Sequence, residues 1–496
     1  MNKLKIFFCI LIFGALKMNA AEPFVTAGNS SNYTLDDLVT ASSGALIKDG
    51  DNFKLLADIT ISSTDKLIVN ENATILCDAS TSLIFEGIAE INPPEYLNVQ
   101  SLDISNPDNF AIGIILREDA DNSIIKKLNI SYCAGLKLYN VDNVIVEDCS
   151  FTNNKYNTTI GAGAISLSQC NPKIINCVFE NNERSAIQSP ANASAAPFIS
   201  GCSIINNNTS NGNYPQINLG TSDNDTIFII NNYIEGLYPK AGGISVSSLM
   251  GGSVNAVIRE NIVTNNRYGI AGTGNNIYME VIENQCLNNN IENDPMAGGS
   301  GLNLYATNTT SLMYASENII TGNLWGITLQ GAATANLGCL EEGENYNIGK
   351  NVFSENGNNG EIFHLYNNTA NDVLAENNDW NVYSETEIEE TIYHFNDEET
   401  LGYVNFIPFF FQTGIVDMNR YSGMAVYPNP ANDFIIVDEN DIKQVIIFSR
   451  NGKKVLSCDN LYERISVANL KEGLYIVSLI DSKGRSGASK LLIERK

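Results

Sequence analysis

VEDCSF (146–151), INCVF (175–179), SGCSI (200–204), INNYI (230–234) and RENIV (259–263) are variants of one phrase. IKKLNI (125–130) precedes them, and ENQCL (283–287), SENII (316–320), GKNVF (349–353) and ENNDW (376–380) follow. Aligned, one column holds Leu128, Cys149, Cys177, Cys202, Asn232, Asn261, Gln285, Asn318, Asn351 and Asn378. Two residues on, a second holds Ile130, Phe151, Phe179, Ile204, Ile234, Val263, Leu287, Ile320, Phe353 and Trp380. On a strand, positions two apart share a face, so both columns point the same way.

A second alternating stretch follows each phrase: LKLY (136–139), ISLS (165–168), INLG (217–220), ISVS (244–247), LNLY (302–305), ITLQ (327–330) and FHLY (363–366) among them. Glycine often stands just before it, as at Gly135, Gly243, Gly269, Gly301 and Gly326. No single unit is long enough to bury its own apolar face, so neighbours must stack. The expectation is an all-β chain built as a parallel β-solenoid, with rungs about 4.8 Å apart and like residues over like. Asn232, Asn261, Asn318, Asn351 and Asn378 would then bond amide to amide along the stack, and Cys149, Cys177 and Cys202 would fill the same column as small buried hydrophobes.

Charge narrows the function. Lys+Arg total 29 against Asp+Glu 56, a formal net charge of −27. Nucleic-acid binding needs a basic surface and is excluded as an expectation. Lys3 and Lys5 followed by the apolar run Ile6 to Leu16 read as a secretory signal, residues 1–20, cut near Ala20. No later run is long and apolar enough to span a bilayer. Nine cysteines remain after the signal, an odd number without a CxxC pair, which fits neither a disulfide scaffold nor a zinc site of that type.

The repeat resembles the right-handed parallel β-helix proteins with the pectate-lyase-like coil. The resemblance covers about residues 45 to 410 of the chain. It implies an N-terminal cap and first coils over 21–120, with YTLDDLV (33–39) helical, and a β-helix with C-terminal cap over 121–415. In that cap Asn377-Asn378-Asp379-Trp380 precedes a short helix and a closing strand.

Near Arg420 the charge balance changes. Residues 22–420 hold 15 basic and 47 acidic residues, or −32; residues 421–496 hold 11 and 9, or +2. The tail, 424–496, reads as short strands, with Asn451-Gly452 as a hairpin turn. Tyr427-Pro428-Asn429-Pro430, Gly452, Leu470 with Gly473 and Tyr475, and Lys490 in the last strand closely resemble the C-terminal sorting domain of the type IX secretion system, type A. That resemblance implies recognition by the secretion machinery and its sortase, and export across the outer membrane as in Bacteroidota. It also implies removal of the tail, with release or attachment to surface glycolipid.

The second strand's outward positions should form one exposed sheet. Tyr139, Asn218, Asn303, Tyr305, Gln330, His364 and Tyr366 are the candidate ligand contacts there. They are amides, hydroxyls and rings, suited to neutral sugars through hydrogen bonds and flat contacts. The sheet carries no carboxylate, whereas a glycosidase needs two and a pectate-type lyase needs acids for calcium plus a basic residue. The Asn-Thr-Asp and Gly-His-Gly motifs of polygalacturonases are absent, as is GxSxG. Catalytic candidates off this sheet are Glu260 and Glu317, two rungs apart with Asn284 between them. A calcium candidate is the loop holding Asp223 and Asp225. The expectation is a non-catalytic protein without a cofactor that binds neutral glycan or a host or neighbour surface. The alternatives are a polysaccharide lyase or glycoside hydrolase, and a plain surface spacer.

Overall fold

The computed structural model describes residues 21–308, 311–382 and 384–410, and in the tail 426–427, 429–437, 442–449, 454–458, 464–481 and 486–495. The expected signal, Pro428 and Gly452 lie outside the described residues. Each turn of the coil gives one strand to each of three sheets. Among the described residues the first sheet has 14 strands, from Phe24–Val25 to Ile392–Tyr393. The second has 14, from Asn32–Tyr33 to Val404–Asn405, and the third 13, from Leu46–Asp49 to Val352–Ser354. Pairing is parallel except where Leu46–Asp49 meets Asn52–Leu55. One apolar core runs the length of the coil from Leu35 to Phe406.

Both repeat columns point into this core. Phe151 stacks on Phe179 at 5.1 Å and 8°, and Trp380 on Phe353 at 4.8 Å and 14°. Cys149, Cys177 and Cys202 are buried free thiols, and burial pushes Cys149 and Cys202 up in pKa. Above them the asparagine ladder begins. Asn232 Nδ2 donates to Asn261 Oδ1 at 2.9 Å, and the relay continues through Asn284, Asn318 and Asn351 to Asn378. Each acceptor oxygen also takes the backbone N–H of the asparagine before it, as Asn261 Oδ1 does from Asn232 at 3.0 Å. The rung at 283–287 corrects the alignment by one residue. Asn284, not Gln285, stands in the ladder, and Cys286, not Leu287, faces the core. A one-residue slip exchanges the two faces of a strand, and only neighbouring rungs decide it.

A second ladder escaped the alignment. Asn154 donates to Asn182 at 3.0 Å, Asn182 to Asn207 at 2.7 Å, and Asn207 to Gln216 Oε1 at 3.0 Å. It resumes from Asn266 to Asn289 and from Asn323 to Asn356. Its sequence signal is an asparagine three residues past the inward apolar position, as in Phe151 to Asn154, Phe179 to Asn182 and Phe353 to Asn356.

The corner between the second and third sheets is a single left-handed residue per turn: Lys127, Asp148, Asn176, Asn231, Glu260, Glu283 and Glu317 have φ between 53° and 59°. The glycines at or near the start of the first-sheet strands serve close approach: a Cβ on Gly326 would lie 2.3 Å from the His364 carbonyl oxygen. The ends are closed by helices. α1 (Leu35–Ala41) has a Thr34–Asp37 capping box and buries Leu38, and α2 (Glu385–Glu389) is capped by Ser384 and buries Ile388. Both cover strand edges that would otherwise invite pairing with another chain.

In the tail, Lys454–Cys458, Ile442–Ser449, Gly473–Asp481 and Ser486–Ile493 form one antiparallel sheet, in that order. Val426–Tyr427, Phe434–Val437 and Ile465–Ser466 form another, around a core that includes Ile435, Val445, Val477 and Leu491. Asn429 binds the last strand twice at 2.8 Å, accepting from Leu492 N–H and donating to the Lys490 carbonyl. Tyr475 is buried and its hydroxyl donates to the Lys471 carbonyl at 2.9 Å. Gly473 has φ +140°, a conformation that favours glycine.

Candidate functional site

The first sheet's outward face is not uniformly exposed. Towards its N-terminal end the connection after Ser150–Thr152 folds over it. Ile160 packs on Ile115 and Ala134, and Lys137 Nζ donates to the Thr159 carbonyl at 2.9 Å. Ser166 is buried beneath this flap. The face opens further along, into a groove of about 520 Å³.

Four of the seven candidate contacts meet in that groove: Asn303, Tyr305, Gln330 and Tyr366. Asn218 lies one rung before Ser245 at its margin. Tyr139 is 38% exposed but pairs with Arg117 and Ser168, several turns away. His364 is the clear correction. Tyr366, not His364, pairs with Thr328, and Asn368, not Tyr366, pairs with Gln330. His364 stands one residue before that strand, in the position that Gly326 holds in the preceding turn. It turns inward, 3% exposed, beside Phe353 and 3.4 Å from Asn356, at the end of the second ladder. Burial lowers its pKa to about 3, so it stays neutral and does not meet ligand.

Trp325 and Tyr366 form the groove's C-terminal end. Trp325 packs on Tyr366 at 4.8 Å, and Tyr366 stacks on Tyr393 at 4.8 Å and 15°. Tyr305 is 40% exposed. On the floor Asn303 Nδ2 donates to Thr328 Oγ1 at 2.6 Å, and Ser300 and Thr328 hydroxyls lie 2.9 Å apart. The wall is the connection holding Pro295 to Gly298. Trp325 Nε1 donates to the Pro295 carbonyl at 3.1 Å, and Arg267 donates to the Ala297 carbonyl and to Asn213 Oδ1. Arg267 Nε also touches Glu292 Oε2 at 2.5 Å, without hydrogen-bond alignment. Arg267 is thus committed to holding the wall. Desolvation raises the Tyr268 phenol above its ordinary value, so it faces the groove uncharged. No carboxylate lines the groove. The alternation rule missed Arg267 and Tyr268 because they sit at a corner, where period two lapses, and Trp325 because it opens its strand with the parity of inward Ile327.

Beyond Tyr366 lies an acidic recess of about 690 Å³ that includes Glu361, Glu387, Glu389 and Asp397. Buried His394 accepts from Val404 N–H at 3.0 Å through Nδ1, which leaves Nε2–H to donate to Glu389 Oε1 at 2.7 Å.

Glu260 and Glu317 sit at the second-to-third-sheet corner, not on a sheet. Glu283, rather than Asn284, stands between them, and Arg259 pairs with Glu283 at 3.2 Å and Glu260 at 3.8 Å. Asp223 accepts from Thr221 Oγ1 at 2.9 Å and so serves its own turn, whereas Asp225 accepts from Asn171, 54 residues earlier, at 2.8 Å and ties separate turns together. Among the described residues no group of three or more His, Cys, Asp or Glu is placed to hold a metal ion, and no helix is long and apolar enough to cross a membrane.

Comparison with known proteins agrees with this architecture. Residues 425–494 match the secretion system C-terminal sorting domain, and residues 69–233 match the right-handed β-helix region. Beta-agarase D of Zobellia galactanivorans is 29% identical over 70 residues, 14% of this chain and 15% of the agarase. The chain thus spans about a seventh of that relative, a stretch as long as the sorting tail. The structure of the periplasmic alginate epimerase AlgG aligns over 76% of this chain and 83% of its own, with TM-score 0.38 and 11% identity. Those values speak to neither substrate nor activity. The chain is a right-handed parallel β-helix with a C-terminal type IX secretion system sorting domain, exported to the cell surface or the extracellular space.

Proposed function

We propose that this exported β-helix is a non-catalytic binder of neutral polysaccharide, and that the groove on the first sheet holds the ligand. One observation carries the reading: Tyr305, Trp325 and Tyr366 stand beside Asn303, Gln330 and Thr328 in a groove without a carboxylate. Rings offer flat apolar faces to sugar C–H groups, and amides and hydroxyls serve sugar hydroxyls in either bonding sense. The coil's charge of −32 over residues 22–420 repels polyanions.

A second reading is a glycan-cleaving enzyme. It is favoured by Glu389, oriented by His394 in the acidic recess next to Tyr366. The deciding experiment exposes the full chain to a glycan array and to reducing-end and 235 nm unsaturation assays, with and without calcium. Retention of neutral glycans that Tyr305→Ala and Trp325→Ala weaken, without turnover, supports the binder. Turnover lost with Glu389→Gln supports the enzyme. Silence in every assay leaves a surface spacer.

A further inference from the structure

We infer that the corner where the third sheet hands the chain back to the first holds a second glycan groove, so that the protein is bivalent. The inference rests on the neutral-glycan reading above, but on different residues. A cavity of about 630 Å³ is lined there by Tyr132, Asn153, Asn181, Thr209 and Tyr238, one from each of five consecutive turns. At the inter-strand spacing five turns span about 19 Å, a length for an oligosaccharide rather than one sugar. The two grooves share no lining residue. The connector at 208–214 gives Thr209 and Ser210 to one and Asn213 to the other.

The chemistry resembles that of the first groove, with one carboxylate, Glu183, and one ammonium, Lys155, added to the lining. Phe110 and Tyr132 meet edge to face at 6.0 Å and 89°. The side-chain amides of Asn153 and Asn181 have no hydrogen-bond partner among the described residues. The lining charges are already committed: Lys155 pairs with Asp108 at 2.9 Å, and Glu183 accepts Tyr156 N–H at 2.7 Å. Arg184 lies between the Tyr156 and Tyr214 rings, at 3.6 and 4.6 Å, and stiffens the rim. What remains free is aromatic, amide and hydroxyl, the set that takes a neutral sugar chain. Two grooves on one rigid coil would hold two polysaccharide chains, or two stretches of one, with a gain in avidity and no new contact.

Calorimetric titration of the full chain with cellohexaose, laminarihexaose and mannohexaose tests this. The expected result is two equivalents of whichever hexasaccharide binds. Joint Tyr132→Ala and Tyr238→Ala substitution should abolish one and Trp325→Ala the other, each with an unchanged circular dichroism spectrum. Tyr238→Phe, which keeps the ring, should retain both. A single equivalent indifferent to Tyr132 and Tyr238 overturns the second groove and leaves the first standing. A single equivalent lost only with Tyr132 and Tyr238 supports the second groove and removes the first. No heat with any of the three overturns both.

Discussion

Replacing Asn318 with alanine removes the middle of the longer amide ladder. Asn318 Oδ1 accepts from Asn284 N–H at 2.9 Å and Nδ2 at 3.1 Å, and its own Nδ2 donates to the Val281 carbonyl at 2.7 Å and Asn351 Oδ1 at 2.8 Å. In the alanine protein Asn284 N–H has no acceptor. Asn284 Nδ2 keeps the Ile258 and Ile282 carbonyls, and Asn351 Oδ1 keeps the residue-318 N–H. One orphaned buried donor costs about 1–3 kcal/mol and each weakened bond about 0.5–1.5, so the loss is roughly 2–5 kcal/mol. Asn129→Ala is the matched control. Its Nδ2 donates to Asn98 Oδ1 at 2.9 Å on a partly exposed face, where water replaces the bond at a cost of about 0.5 kcal/mol. Urea unfolding followed by tryptophan fluorescence reads the right region, since Trp325 and Trp380, the chain's two tryptophans, both lie in the last turns. A difference between the two variants under about 0.5 kcal/mol would falsify the claim that buried amides hold the stack.

Four further outcomes are expected. Because His364 titrates at about 3 when folded and about 6.5 when unfolded, the unfolded chain takes the proton first. Stability should therefore fall as pH drops below about 6.5, by about 2 kcal/mol at pH 5, and level off near pH 3. His364→Gln should flatten that slope, and a wild-type melting temperature that does not fall between pH 7 and 5 contradicts it. Gly326→Ala forces a Cβ to 2.3 Å from the His364 carbonyl oxygen, so thermal melting should show a loss of several kcal/mol or no folded protein. The eight cysteines of the coil are free and buried, so dithiothreitol should leave the coil's melting temperature unchanged. Deleting residues 425–494 should leave the coil folded by circular dichroism but retained in the periplasm on cell fractionation.

How much of this was legible in the sequence depended on whether a residue sat on a strand or at a corner. Tyr305 and Gln330 sit on strands, and period two places both on the outward face. Trp325 opens a strand and His364 stands one residue before one, where alternation is not yet established. Trp325 turns out into the groove and His364 turns in, and no local pattern separates them. The slip at Gln285 arose because Asn284 and Gln285 are both amides, so the column admitted either, and contact with Asn261 and Asn318 chose.

The repeating columns, the acidic coil and the near-neutral tail are properties of the linear chain, and they determined a stacked all-β coil, its two ends and its export domain. Short-range rules suffice there, because each turn touches only its neighbours. The groove is different in kind. Its floor comes from several turns, its wall from a long connection pinned by Arg267 and Trp325, and its N-terminal limit from the flap that carries Ile160. Which outward residues stay open is decided by how loops of unequal length fold back over the sheet. That depends on contacts between residues far apart in the chain, which only the tertiary structure brings together.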